Sequence, residues 1–230
     1  MHSLFSDFFS LFFPRYCNCC GRSVATGEEC LCNYCASNLP QTNFHTYKNN
    51  PVEMLFAGKF PVFRATAFCF FKKKNIMQTL IHQLKYRGNK EIGVYLGHLV
   101  GLNLLESKDF ASVDVILPIP LHIKKLKKRG YNQSECIAKG MAKTMSKPID
   151  NTSLIRIVAT STQTKKNRYA RWENTSGIFR LTAPEKLTNK HVLLVDDIIT
   201  TGATIESAAH ELLSVEGIKI SVACLGCTTI

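Results

Sequence analysis

The stretch VLLVDDIITTGAT, residues 192–204, decides the fold. Val192, Leu193, Leu194 and Val195 form an unbroken apolar run, the pattern of a strand buried on both faces, as in a parallel sheet. Asp196 and Asp197 then stand at the carboxyl end of that strand, where open α/β sheets bind ligands. Thr200, Thr201, Gly202, Ala203 and Thr204 lead into a helix whose first backbone N–H groups lack intrahelical partners and so suit an anion. Gly202 permits close backbone approach, and the threonine hydroxyls add donors for phosphate oxygens. Two carboxylates beside a phosphate cradle would repel the ligand unless they meet hydroxyls. A sugar phosphate satisfies both demands.

Working outward, the flanking sequence alternates between strand and helix signals. Strands are expected at 62–71, 113–117, 154–158, 192–195 and 219–225. Helices are expected at 76–84, 91–106, 134–145 and 203–213, with Asn75 capping the first. This alternation implies an α/β fold, a parallel sheet with helices on its flanks. The segment Ala159 to Asn174 is polar and basic without apolar periodicity, and its length marks a functional loop.

Composition narrows the classes further. The net charge is +12, yet residues 1–60 carry equal numbers of acidic and basic side chains, so the whole excess lies beyond residue 60 and favours an anionic ligand or partner there. No GxxxxGK[ST] phosphate loop occurs. The opening MHSLFSDFFSLFFPRYC lacks a basic leader and a small-residue cleavage site, so export is not expected and a cytoplasmic location is. Its apolar run is too short to span a bilayer, which takes about 20 residues. An apolar docking helix ended by Pro14 is expected instead.

Of ten cysteines, six fall between Cys17 and Cys35, a crowding that favours metal over disulfides. Cys17/Cys20 and Cys32/Cys35 form two CxxC pairs with the spacing of a four-thiolate zinc knuckle. Cys19 and Cys30 are left over, and the CxC pairs Cys17/Cys19 and Cys30/Cys32 offer a competing quartet. The expected organisation is a knuckle module over 1–60 followed by the main domain over 61–230.

VLLVDDIITTGAT resembles the 5-phosphoribosyl-1-pyrophosphate signature of type I phosphoribosyltransferases. The resemblance implies that Asp196 and Asp197 hold the ribose hydroxyls while Thr200, Thr201, Gly202, Ala203 and Thr204 hold the 5-phosphate. PxPL at Pro118 to Leu121, RGYNQ at Arg129 to Gln133, KYRG at Lys85 to Gly88 and the CxxC pairs are together similar to the ComF family, competence-associated phosphoribosyltransferase-like proteins, over nearly the whole chain. By that likeness, Pro118, Pro120, Arg129, Gly130, Tyr131, Asn132 and Gln133 form the pyrophosphate side of the site. The loop carrying Gln163, Lys165, Lys166 and Arg168 closes over pyrophosphate, with Lys165 and Arg168 as its expected contacts. Magnesium accompanies the ligand. The zinc ligands are Cys17, Cys20, Cys32 and Cys35, in a structural site. Tyr86 and Arg87 either line the base side or merely cap their helix. The acceptor base or amine is not identifiable from the residues. Two rival readings share the same features: a nucleic-acid-binding accessory of DNA uptake, with single-stranded DNA or competence machinery as partners, and a sensor of 5-phosphoribosyl-1-pyrophosphate without turnover.

Overall fold

The computed structural model describes residues 15–25, 27–158 and 177–228. The apolar segment 4–13 and the basic loop 159–174, with Lys165 and Arg168, lie outside the described residues.

Strands β1 (Val62–Phe70), β2 (Val115–Pro118), β5 (His191–Ile199) and β6 (Lys219–Cys227) form one parallel sheet in the order β1-β6-β5-β2. The sequence pattern explains the central place of β5. Leu193 and Val195 pack into the core on one face and Val192 and Leu194 into the core on the other, all fully buried. Such a strand needs cover on both sides. Both outer edges are closed by chain that precedes or follows them. Phe70 donates its N–H to Pro40 and Thr42 to Phe68 along β1, while Ile116 and residues 148–150 exchange bonds along β2. Neither edge therefore offers a free ladder for pairing with another chain.

One face carries α3 (Ile76–Tyr86), α4 (Lys90–Leu105) and α7 (Gln133–Met145), joined by the cysteine segment with α1 (Asn33–Ser37). The other face carries α2 (Pro51–Phe56) and α8 (Ala203–Leu212). The short helices α5 (Lys108–Ala111) and α6 (Ile123–Arg129) lie before and after β2. Helices α4 and α7 cross at backbone contact. A β-carbon on Gly97 would lie 2.1 Å from the Ile137 carbonyl oxygen, and one on Gly140 would lie 2.0 Å from that of Val94. Small residues here let two helices pack as one layer against the sheet.

The expected strand at 154–158 is real only over β3 (Leu154–Arg156), and it does not join the parallel sheet. It pairs antiparallel with β4 (Phe179–Leu181), whose existence the sequence did not reveal. The reason is burial: Leu154 is enclosed while Ile155 is 38% exposed, so the segment lacks the two-sided apolar run of β5. Helix boundaries otherwise fall within two residues of expectation, and the Asn75 side chain does cap α3 by accepting from the Gln78 N–H at 3.0 Å. Among the described residues, no helix is long and apolar enough to cross a membrane.

Candidate functional site

The parallel register brings the carboxyl ends of β2 and β5 side by side: Pro118 pairs with Val195, and the Ile119 N–H donates to the Val195 carbonyl at 2.8 Å. The loop after β2 is thereby held next to the acidic pair that follows Val195. After α6 the chain turns through Gly130, whose φ of +78° places it in the left-handed region, and re-enters the core at Tyr131.

Asn132 and Ser134, both buried, then tie three elements together. The Asn132 amide donates to the Ile119 carbonyl at 3.0 Å, and its oxygen accepts from the Ser134 N–H at 3.1 Å, capping α7. The Ser134 hydroxyl donates to Asp196 Oδ1 at 2.9 Å, which also accepts the Asp197 N–H at 2.8 Å. Burial, together with the neighbouring Asp197 charge, raises the Asp196 carboxyl well above the usual carboxylate range despite these donors. Asp197 is engaged differently. Lys85, in the last turn of α3, sets its Nζ 2.8 Å from Asp197 Oδ2, with both side chains largely enclosed.

Lys85 belongs to a larger group of cations. Lys125 of α6 is held below the ordinary lysine range, first by burial and then by the charges of Arg156, Arg129 and Lys85. Burial likewise lowers Arg156, against the opposing pull of Asp196. Arg129 lies 5.7 Å from the centre of the exposed Tyr86 ring and donates to Gln133 Oε1 at 2.7 Å. The Gln133 amide nitrogen is buried with no hydrogen-bond partner among the described residues. Mutually repelling cations and a buried donor without an acceptor are poorly matched to each other and well matched to a polyanion.

Beyond β5, residues 199–205 line one hollow together with Asp196. Thr200 and Thr201 are exposed, and Gly202 begins α8 at φ +76°. A β-carbon on Gly202 would come 2.7 Å from the Phe56 ring, so α2 packs directly beneath this turn. Gly202 has no side chain to cap α8, and although the Ala203 N–H reaches Thr201 Oγ1 at 3.5 Å, a helix start of this kind suits an anion.

The structure thus gathers Asp196, Asp197, the 200–204 loop, Pro118, Pro120 and Arg129 to Gln133 at one end of the sheet. Lys85, Ser134 and Arg156 join them, and none of the three had been assigned to the acidic pair from the sequence. The KYRG element was a signal for Lys85, whereas nothing in the pattern around Ser134 or Arg156 singled them out.

The second cluster lies in the cysteine segment. The sulfurs of Cys17, Cys20, Cys32 and Cys35 lie within 4.8 Å of one another and could hold a metal ion. Cys20 Sγ and Cys32 Sγ are 3.7 Å apart, close to the roughly 3.8 Å edge of a tetrahedron with zinc–sulfur bonds of about 2.3 Å. Gly21, at φ +73°, makes the turn that follows Cys20. Burial alone would raise the Cys17 thiol, but the backbone N–H groups of Cys20, Cys32 and Cys19 outweigh it and bring it down to about 6. A thiolate at this position is what metal binding needs. Cys30 stands apart: it is buried, accepts from the Asn18 amide at 3.3 Å, and is pushed up to about 11 by burial.

Comparison with known proteins agrees with this architecture. The phosphoribosyl transferase domain family matches residues 132–226, which run from Asn132 through the acidic pair into β6. The DNA utilization protein YhgH of Escherichia coli O157:H7 is 29% identical over 217 residues, covering 93% of this chain and 90% of the relative. That of Salmonella typhi is 31% identical over 157 residues, 67% of this chain and 68% of the relative. Competence protein F of Haemophilus influenzae is 28% identical over 150 residues, 63% of this chain and 66% of the relative. With a parallel sheet whose carboxyl edge carries the acidic pair and threonine loop, and with relatives of these kinds along most of its length, the chain belongs to the ComF family of competence-associated proteins with a phosphoribosyltransferase-like fold.

Proposed function

We propose that this protein binds 5-phosphoribosyl-1-pyrophosphate together with magnesium and transfers the phosphoribosyl group to a base or amine acceptor with release of pyrophosphate. The observation that carries the reading is the meeting of opposite charges at one sheet end, Lys85 on Asp197 and Arg156 near Asp196, with Lys125 and Arg129 close to those two cations. A ligand with vicinal hydroxyls between two phosphorylated ends matches both sets. The ribose hydroxyls donate to the carboxylates, the 5-phosphate takes the N–H groups and hydroxyls of residues 200–204, and the diphosphate takes the cations of the β2–α7 segment. By the family resemblance, Lys165 and Arg168 would contact the diphosphate as well.

The chemistry follows from where charge develops. As the bond from the sugar C1 to pyrophosphate breaks, positive charge grows on the ribose ring and negative charge on the leaving group. The acidic pair lies next to the first, and Arg129 and Lys125 next to the second. The carboxylates offer the hard oxygen donors magnesium takes, and magnesium bound there with the diphosphate would offset the leaving group's charge. The acceptor attacks C1 with its nitrogen lone pair, and that nitrogen gives up its proton.

The cysteine quartet fits zinc, and four thiolates leave no open coordination position, so its role in this reading is structural. The decisive experiment is calorimetric titration of 5-phosphoribosyl-1-pyrophosphate with magnesium into the wild type and Asp196→Asn/Asp197→Asn. Saturable binding to the first and none to the second is expected. Equal binding to both would overturn the assignment. Release of pyrophosphate across a panel of bases and amines then separates a transferase from a sensor without turnover.

A second reading is favoured by the relatives named for DNA utilization and competence: an accessory that binds single-stranded DNA through the basic excess beyond residue 60. It predicts strand binding that weakens steeply with salt and is indifferent to the acidic pair.

A further inference from the structure

The knuckle and the acidic pair are joined by a short set of contacts running through one helix end. Asn18 sits in the turn between Cys17 and Cys20. It is fixed there by its own N–H and amide nitrogen, which both donate to the Cys30 carbonyl at 3.1 Å. Its two oxygens face the other way. The Asn18 carbonyl accepts from Gln83 Nε2, and its side-chain oxygen accepts from Asn89 Nδ2 at 2.8 Å. Gln83 and Asn89 bracket Lys85 to Gly88, the end of α3 and the turn into α4.

That placement matters because helix ends fray: carbonyls of the last turn lack intrahelical partners, and local opening there costs little. Lys85 lies one residue from the end of α3, yet its ammonium stays 2.8 Å from Asp197. The Tyr131 hydroxyl, which donates to the Leu84 carbonyl, also holds this helix end.

We propose that Asn18 clamps the 83–89 turn and thereby positions Lys85 on Asp197, which makes the metal-binding knuckle a working part of the sugar-diphosphate site. Lys85 in turn holds the Asp197 carboxylate in place for the ribose. Metal in the quartet fixes the Cys17 to Cys20 turn, and the turn fixes the two oxygens that grip α3. The proposal rests on the functional reading above for its ligand, but the clamp can be measured without one.

The test uses the full metal-loaded chain and Gln83→Ala/Asn89→Ala, which removes both donors to Asn18 and touches neither the cysteines nor the acidic pair. Metal content should be unchanged. Amide exchange at residues 84–88 should accelerate by about tenfold or more, with the core of α4 unaffected. Affinity for 5-phosphoribosyl-1-pyrophosphate with magnesium should fall about tenfold, and in a Lys85→Met background the same pair of changes should cost almost nothing further, because the clamp acts through Lys85. Stripping the metal from the wild type should loosen the same residues. Unchanged exchange at 84–88, or full additivity with Lys85→Met, overturns the proposal. Should the double variant fail to fold, Asn89→Ala alone carries the same prediction at smaller amplitude. If the wild type does not bind the sugar diphosphate, the functional reading falls and the exchange data alone decide the clamp.

Discussion

The two ends of β5 both bury polar side chains, and they do so in opposite ways. At the amino end, His191 is 3% exposed and each ring nitrogen meets a hydroxyl, Ser112 Oγ at 2.9 Å and Ser221 Oγ at 2.8 Å. Its backbone N–H goes to Asp114 at 2.7 Å, and the Phe63 ring packs edge-on against the imidazole. Every partner is neutral or fixed within the fold, so the network is complete as it stands. At the carboxyl end, like charges sit beside like: Asp196 beside Asp197, and Lys125 among Arg129, Arg156 and Lys85. Lys85 offsets Asp197 at 2.8 Å, yet burial and the Asp197 charge still weigh against an ionised Asp196, and Lys125 still sits among like charges. One strand therefore shows how burial of polar groups differs between a structural network and a site.

The largest effect should come from breaking the completed end. His191→Ala leaves the buried Ser221 hydroxyl without its imidazole partner and opens a void, at a cost of about 2–4 kcal/mol in urea unfolding. Ligand binding by the fraction that remains folded should be unaltered. If it changes as much as stability does, the two ends are not independent and the contrast fails.

Titration should separate the ends by sign. Burial, helped by the Lys219 charge, holds His191 down at about 4 against an ordinary 6.5, so the unfolded chain takes up a proton that the folded chain refuses. Its contribution is whole above pH 6.5 and is lost as pH falls toward 4, up to about 3 kcal/mol. Asp196 runs the other way. Its raised carboxyl keeps a proton in the folded state that the unfolded chain releases, so its contribution is present in acid and is lost as pH rises toward neutrality. The wild type should accordingly show a shallow net slope in the shared window. Asp196→Asn should expose a steeper loss of stability on acidification, and His191→Gln should expose the reverse. Unfolding free energies measured at a series of pH values check both.

At neutral pH, Asp196→Asn is then a change that weakens function without weakening the fold. Removal of one buried charge from a repelling pair should leave the melting temperature equal or higher, while affinity for the sugar diphosphate drops about tenfold or more. A fall in melting temperature as large as that of His191→Ala would place Asp196 among structural groups instead.

This contrast was half legible in the sequence. The apolar run Val192 to Val195, the acidic pair and the threonine-glycine turn announce themselves because each obeys a local rule: two-sided burial, the carboxyl end of a strand, the start of a helix. RGYNQ and KYRG could be marked as elements but not joined, since the contacts of Arg129 with Tyr86 and of Tyr131 with Leu84 are made across the fold. Lys85 looks like any basic residue closing an amphipathic helix; only the packing of α3 aims it at Asp197. Arg156 lies on a strand whose pairing partner, β4, carries no alternation strong enough to read. His191 gave no signal either, because its two serine partners lie 79 and 30 residues away. The quartet of cysteines could be narrowed to two sets by spacing, and the mutual distances of the four sulfurs favour Cys17, Cys20, Cys32 and Cys35.

The smallest predicted effect tests how finely the carboxyl end is tuned. The Ser134 hydroxyl is the one donor from α7 to Asp196, and its backbone N–H is already used by the Asn132 cap. Ser134→Ala should therefore keep the helix start intact and cost at most about 1 kcal/mol of stability. Its signature is electrostatic. Without that donor the Asp196 carboxyl should rise further, because hydrogen bonding to the charged form was one of the influences holding it down. The pH at which ligand affinity reaches half its maximum should move upward in Ser134→Ala, while affinity at high pH, where the carboxyl is ionised in both proteins, should differ only a fewfold. A uniform loss at every pH would mean that Ser134 shapes the pocket rather than the charge of Asp196.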